Sequence, residues 1–170
     1  MNTSGPLKIK HVPVHFVEGV VFPPFGQIYT DDLNGGTAIA VVSPHGAILA
    51  SVASHYIDLP SAGSDPRIPN FRTRLQRFVA LYNDNRCYFP ASATHSYILA
   101  AMHNGTVALP DQIQRAEEIV HQTLGIPPIH LHYSVLPSNA VRTPGQTVFA
   151  IVAEENGEMP AIFVNGKRMA

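Results

Sequence analysis

Adjacent glycines precede a continuous apolar run in the chain. The segment Asn34-Gly35-Gly36-Thr37 leads into residues 38–42, which are Ala-Ile-Ala-Val-Val. Glycines allow positive φ and a close approach to a ligand, and backbone N–H groups beside a hydroxyl can bind an anion or oxyanion. We therefore predict that Asn34, Gly35 and Gly36 bind substrate, with a tight turn before a strand as the alternative. No Gly-Lys-Ser/Thr follows the glycines, and the next element is a predicted strand, which excludes a Walker loop and a dinucleotide fingerprint.

Three side chains near this turn have the types needed for acid–base or nucleophilic chemistry. In a hairpin that turns at 43–46, residues before 38 lie opposite those after 52, so Thr37 and His55 can come close. Ser51 and His55 share a face if the strand continues. Histidine is the natural general acid–base near neutral pH. We predict that any catalysis depends on His55, with Thr37 and Ser51 beside it, and the alternative is that His55 merely ends a strand.

The single cysteine offers a second nucleophile. Cys87 could pair with His55 or His95 as a thiol and imidazole. Nothing in the sequence places a base beside Cys87, and a lone cysteine in a short apolar strand is more typical of a small buried hydrophobe.

Two histidines could begin a metal site. His130 and His132 alternate with apolar residues, which places both imidazoles on one face of a strand. A third ligand is needed, and no matching carboxylate motif stands out. The alternative is a solvated face of an edge strand, and we predict no metal and no other cofactor.

Two charged groups complete the set of candidates. Asp31 and Asp32 could hold a cation, although adjacent aspartates in a loop are more often turn formers. Arg72, Arg74 and Arg77 favour a solvated helix face, with a phosphate or carboxylate partner as the alternative.

Two helices can be read from the spacing of apolar residues. Positions 71, 75, 78, 79 and 82 form one helical stripe, with Asn70 as the N-cap. A second helix is predicted over 111–124, where Gly125 suits the residue after the last turn and Pro127 prevents continuation.

The remaining apolar segments indicate strands. Residues 38–53 form a predicted hairpin, and 147–153 with 161–164 form another. Strands are also predicted over 87–89 and 129–135, whereas 95–103 fits either a strand or a helix. These elements predict one globular domain over residues 1–170 of the α/β (α+β layered) class, with a mixed β-sheet or sandwich and two main helices. The residues expected to be buried between helices and sheet are Ile39, Val41, Ile48, Phe78, Val79, Ile119, Val120, Val148 and Ile151.

Composition limits the possible functions. The 170 residues carry 11 Lys+Arg and 12 Asp+Glu, a net charge of −1, so a basic nucleic-acid binder is not expected. No apolar run reaches the roughly 18 residues that span a membrane, and the beginning of the chain has no signal-peptide pattern. We therefore expect a soluble cytoplasmic protein. The low charge and the apolar segment 20–25 favour a homo-oligomer, most simply a two-fold dimer.

The order of elements resembles the CheD family of chemoreceptor glutamine deamidases. The resemblance rests on Gly36-Thr37-Ala38-Ile39-Ala40-Val41 at a strand opening, Gly46-Ala47-Ile48 at the return, Leu59-Pro60, the helix from Phe71, Leu124-Gly125-Ile126 and the hairpin within 148–164. It covers roughly residues 26–166 and implies a CheD-like fold and hydrolysis of an amide. Ala38 stands at the position of the family's cysteine, and the position of its histidine falls near Ala50 or Ser51. Thiol chemistry by that route is therefore not supported.

Three functions follow as alternatives. The first is a small enzyme that acts on a small organic or amide substrate by histidine acid–base chemistry without a cysteine nucleophile. The second is a non-catalytic binding or regulatory module. The third is a metal-dependent protein that uses His130 and His132.

Overall fold

The computed structural model describes residues 7–33, 35–52, 71–103, 105–135 and 148–170. The strands before the first described helix are β1 (Lys8–His11), β2 (Val17–Val21), β3 (Phe25–Thr30), β4 (Thr37–Ser43) and β5 (Gly46–Val52). The helices are α1 (Phe71–Asp84) and α2 (Pro110–Leu124). The later strands are β6 (His95–His103), β7 (Thr106–Val107), β8 (Ile129–Ser134), β9 (Phe149–Val152), β10 (Ala161–Val164) and β11 (Lys167–Arg168).

The strands form two mixed sheets. A five-stranded sheet has the order β1-β3-β9-β10-β11; its β1–β3 pair is parallel, and its other described pairs are antiparallel. A six-stranded sheet has the order β2-β5-β4-β6-β7, with β8 parallel to β6. Leu99 pairs with both Ala38 and Leu131, so β8 lies on the side of β6 away from β4. The predicted fold class, a mixed α/β protein with a layered sandwich and two main helices, is confirmed.

Three layers result from the alternation of side chains along the strands. Alternate residues of β4, such as Ala40 and Val42, pack between the two sheets together with Phe149 and Ile151. The residues between them, such as Ile39, pack under the helices instead. Both hairpin strands are therefore buried on both faces, which explains why the apolar run at 38–42 is continuous.

The apolar stripes bring both helices onto the six-stranded sheet. Phe71, Leu75, Phe78 and Tyr82 are buried on α1, as the spacing predicts. Gly125 ends α2 with φ of 80°, and its N–H donates to the carbonyl of His121. No helix in the described part of the chain is long and apolar enough to cross a membrane.

One local prediction is wrong, and one ambiguous segment is now assigned. Residues 86–88 form a 3₁₀ turn rather than the predicted strand at 87–89, and Cys87 is exposed rather than a buried hydrophobe. Pro90 limits that segment to a short connection before β6. Residues 95–103, which fitted either a strand or a helix, form the nine-residue strand β6.

The predicted core is correct in most positions and needs two corrections. Val79, Ile119 and Val148 are only partly buried. Ile151 is fully buried, but it lies between the two sheets rather than between a sheet and the helices. The periodicity identified an inward stripe but could not show that a second sheet covers the other face.

Candidate functional site

The predicted glycine segment forms a closed turn at the start of β4. Gly35 has φ of 99°, a conformation that favours glycine. The Gly35 N–H donates to the hydroxyl oxygen of Tyr133 at 2.8 Å, and that hydroxyl donates to the Gly36 carbonyl at 2.7 Å. The Gly36 N–H donates to the Leu33 carbonyl at 2.7 Å. We call Gly35, Gly36 and Thr37 the strand opening.

Tyr133 fastens the strand opening from the side between the sheets. It lies on β8 opposite the small residue Ala101, so its ring reaches past β6 to the turn before β4. The ring is 5 % exposed. Burial raises the pKa of the Tyr133 hydroxyl, and the hydrogen bond from Gly35 offsets this only in part. The hydroxyl therefore stays protonated and keeps both of its hydrogen bonds.

Gln112 fastens the strand opening from the helix side. The Thr37 hydroxyl donates to Oε1 of Gln112, in the first turn of α2, at 3.2 Å. Thr37 is 1 % exposed and Gln112 is 9 % exposed. This hydrogen bond joins the first turn of α2 to the first residue of β4, at the end of the six-stranded sheet.

These hydrogen bonds use the same backbone N–H groups that the predicted anion pocket would need. The N–H groups of Gly35 and Gly36 are both engaged within the protein, so neither is directed at a ligand in this arrangement. The geometry is that of a tight turn, the alternative stated for this segment. Asn34 lies outside the described residues, and the substrate-binding roles of Asn34, Gly35 and Gly36 stay predictions.

The three predicted catalytic residues are not brought together within the described structure. Ser51 pairs with Ala38, and Ala38 packs between the sheets, whereas Thr37 faces α2. Adjacent residues of a strand point to opposite faces, so Thr37 and Ser51 lie on opposite faces of the sheet. His55 lies outside the described residues. The catalytic roles of these residues stay predictions.

The Ser51 hydroxyl is buried. Its Oγ is shielded from solvent and has no hydrogen-bond partner among the described residues, and Ser51 and Ala38 are both 0 % exposed. The position where the resemblance implies a nucleophile thus holds a methyl group in a packed layer.

The remaining candidates are dispersed over the surface. His130 and His132 are exposed on β8, and Nε2 of His130 lies 3.4 Å from a carboxylate oxygen of Glu117. Among the described residues, no group of three or more His, Cys, Asp or Glu could hold a metal ion. Asp31 lies 2.9 Å from His11 Nε2, and Asp32 has φ of 56°, which fits a turn former.

A groove of ≈ 700 Å³ lies between the two helices. Helix α1 contributes Arg72, Leu75 and Val79, and α2 contributes Arg115 and Ile119. The apolar side chains are those of the inward stripes, and the incomplete burial of Val79 and Ile119 follows from their position here. The two guanidinium groups have no hydrogen-bond or ion-pair partner in the part of the chain that the structure describes.

The three predicted arginines therefore differ in their surroundings. Arg72 lines the groove, Nη1 of Arg74 donates to the His15 carbonyl at 2.7 Å, and Arg77 is exposed away from the groove. Arg115 is not among the residues that the sequence predicts for a site. The i, i+4 spacing of Arg115 and Ile119 on the second predicted helix is the signal that could have found it.

The sequence also gives no sign of the two residues that bind the strand opening, Tyr133 and Gln112. Their contacts lie 98 and 75 residues away along the chain, so no local pattern reveals them.

Comparison with known proteins adds no family. No family model matches the chain, and no curated protein matches it. The resemblance to CheD deamidases therefore stays a prediction from the order of elements.

Proposed function

We propose that this chain is a binding module rather than an enzyme, and that it holds a small organic anion in the groove between α1 and α2. The observation that carries the proposal is a pair of guanidinium groups, Arg72 and Arg115, that line one partly apolar groove and have no partner among the described residues. This is the second of the three functions that the sequence allowed. The positive charge of the groove favours an anion as its ligand.

The side chains of the groove suit a ligand with an apolar body and an acidic group. Guanidinium groups bind carboxylate, sulfonate or phosphate oxygens through a planar fork of N–H donors. Leu75, Val79 and Ile119 provide apolar surface beside them. The volume of ≈ 700 Å³ is within the range of small-molecule sites, about 300–1,000 Å³.

The chemistry of the groove favours binding over catalysis. Its described polar side chains are the two guanidinium groups and the amides of Gln76 and Asn83. A guanidinium stays charged at any physiological pH, and an amide does not exchange protons readily, so neither is a good general acid or base. An enzyme that uses His55 at the strand opening stays a prediction, since His55 lies outside the described residues.

Fluorescence titration with anilinonaphthalene sulfonate tests the proposal. This probe combines an apolar body with one sulfonate, and the neutral phenylnaphthylamine is its uncharged counterpart. We expect saturable binding of the sulfonate, weakened about tenfold by Arg72→Gln or Arg115→Gln, because each removes a charge-assisted hydrogen bond. The neutral probe should bind the variants and the parent protein alike.

Arg77→Gln is the matched control, because Arg77 is an exposed arginine of the same helix that does not line the groove. Its affinity for the sulfonate should equal that of the parent protein. Equal affinity in all three variants, or no saturable binding, would show that the groove is not an anion site.

A further inference from the structure

The edge of the six-stranded sheet lies beside a second cavity. Strand β2 is the last strand on its side of that sheet, and its one partner among the described strands is β5. The N–H of Phe22 donates to the His45 carbonyl at 3.0 Å, and the N–H of Ser51 donates to the Phe16 carbonyl at 3.1 Å. Both bonds involve even-numbered residues at this edge, and antiparallel bonding alternates along a strand. The even-numbered residues therefore direct their backbone groups at β5.

The odd-numbered residues of β2 direct their backbone groups outward. Val17, Gly19 and Val21 each present one N–H and one C=O at the free edge, and none has a partner among the described residues. Such a row of groups is a template for another extended chain. In known peptide-binding domains, backbone bonds at an edge supply affinity and side-chain pockets supply specificity.

A cleft of ≈ 400 Å³ runs beside this edge and has walls on both faces of the sheet. On the helix side the walls are Leu81, Tyr88 and Phe89, which pack against the core under the helices. On the other side are Pro24 and Phe25, and Phe25 packs against the core between the sheets. Because the cleft has a wall on each face of the sheet, a single extended chain fits into it. The edge of another sheet would bring its own packed layers, which these walls leave less room for.

Gly19 and Glu18 are the two residues of β2 that indicate which side chains a peptide in this cleft would carry. Gly19 leaves space on the helix side, where a Cβ would lie 3.4 Å from Cγ1 of Ile48, in ordinary contact. A peptide residue opposite Gly19 would therefore project its side chain toward Leu81 and Tyr88. Glu18 lies on the other face and is the one charged side chain among the described residues that line the cleft, with no ion-pair partner there.

We infer that β2 binds an extended peptide as an added antiparallel strand, and that the peptide places an apolar residue opposite Gly19 and a lysine or arginine opposite Glu18. The backbone groups of Val17, Gly19 and Val21 pair with the peptide. The carboxylate of Glu18 selects the basic residue. This site is separate from the interhelical groove, so either proposal stands if the other fails.

Fluorescence anisotropy with a labelled hexapeptide, acetyl-Thr-Val-Leu-Lys-Val-Thr-amide, tests the inference. Leucine is designed to lie opposite Gly19 and lysine opposite Glu18. We expect saturable binding that weakens at least about tenfold when the lysine is replaced by glutamate, or when the leucine nitrogen is methylated. The methylated peptide keeps every side chain and loses one backbone donor, so it tests strand addition on the unaltered protein.

Protein variants locate the binding. Glu18→Lys should weaken the lysine peptide and strengthen the glutamate peptide, while Glu118→Lys, an exposed glutamate of α2, should change neither. Gly19→Pro removes the outward N–H and should abolish binding if circular dichroism shows that it folds.

Three results would overturn the inference. They are no saturable binding, equal affinity for the methylated peptide, and insensitivity to Glu18→Lys. Light scattering identifies the other possible occupant: a dimer that becomes monomeric in Glu18→Lys or Gly19→Pro would mean that a second copy of the chain covers the edge.

Discussion

The strand opening and the interhelical groove use polar groups in opposite ways. At the strand opening, Tyr133 and Gln112 engage the N–H and hydroxyl donors of the turn within the protein. In the groove, the donors of Arg72 and Arg115 lie beside apolar side chains and have no partner in the described ranges. Buried polar groups that hydrogen-bond to one another stabilise one local conformation. Exposed donors beside apolar surface can instead bind a ligand.

The position in the layers explains this difference. The strand opening lies where both sheets and α2 converge, so an unpaired group there would be costly. The groove lies in the outer, helical layer, where Arg72 and Arg115 are exposed and an unpaired donor costs little. The strand opening therefore stabilises the fold, and the groove is where we propose that a ligand binds.

Phe78→Ala should have the largest effect, because it removes the side chain that holds α1 on the sheet. Phe78 is fully buried in the core under the helices. We expect the free energy of unfolding to fall by about 3–5 kcal/mol in urea denaturation. Phe163→Ala is the control, since Phe163 is only partly buried on the outer sheet and should cost less. A loss under about 1 kcal/mol would mean that α1 does not form a stable wall of the groove.

Tyr133→Phe should have the next largest effect. The variant removes the hydroxyl that accepts from Gly35 and donates to Gly36, leaving two buried backbone groups unpaired. We expect a loss of about 1–3 kcal/mol at pH 7 by urea denaturation. Tyr97→Phe is the matched control, because Tyr97 is also buried between the sheets but has no hydroxyl contact among the described residues. An equal loss in the two variants would contradict the fastening role of Tyr133.

The pH dependence sharpens the same prediction. Burial raises the pKa of Tyr133 above its unfolded value of about 10, so the hydroxyl is neutral in the folded state while the unfolded chain ionises. The stability is complete below pH 10 and falls as the pH rises above it, by about 1.4 kcal/mol per pH unit for each such tyrosine. Tyr133→Phe should show a smaller fall between pH 10 and 11, and the remainder is expected because burial also raises the pKa of Tyr97.

The sequence predicted local elements well and long-range contacts poorly. The helical stripe at 71–82, the Gly125 end of α2 and both hairpins depend on neighbouring residues, and the structure has them all. The three-layer arrangement depends on which strands pair across the chain. The same limit applies to the site, because adjacent Gly35 and Gly36 allow the tight turn as an alternative but give no sign of its hydrogen bonds with Tyr133.

The burial of single positions shows the same limit. Val79 and Ile119 follow the correct periodicity, yet they border the groove and are only partly buried. Periodicity gives the direction of a side chain, while the packing of the two helices decides where the covered surface ends. The sequence left two alternatives for Arg72, a solvated helix face or an anion partner. It could not decide between them because Arg115, which lines the same groove, belongs to the other helix.

Ser51→Ala should have the smallest effect and the opposite sign. The Ser51 hydroxyl is buried between the sheets and has no hydrogen-bond partner in the described part of the chain, so no contact there offsets its loss of hydration on folding. Removing it should leave stability unchanged or raise it by up to about 1 kcal/mol in urea denaturation. Thr37→Val is the contrasting variant, because it leaves Oε1 of Gln112 buried without its donor and should cost about 1 kcal/mol. The two substitutions remove the same group from adjacent strands on opposite faces of one sheet. If both substitutions lower stability alike, the Ser51 hydroxyl has a hydrogen-bond partner in the folded protein, and the expected sign for Ser51→Ala is wrong.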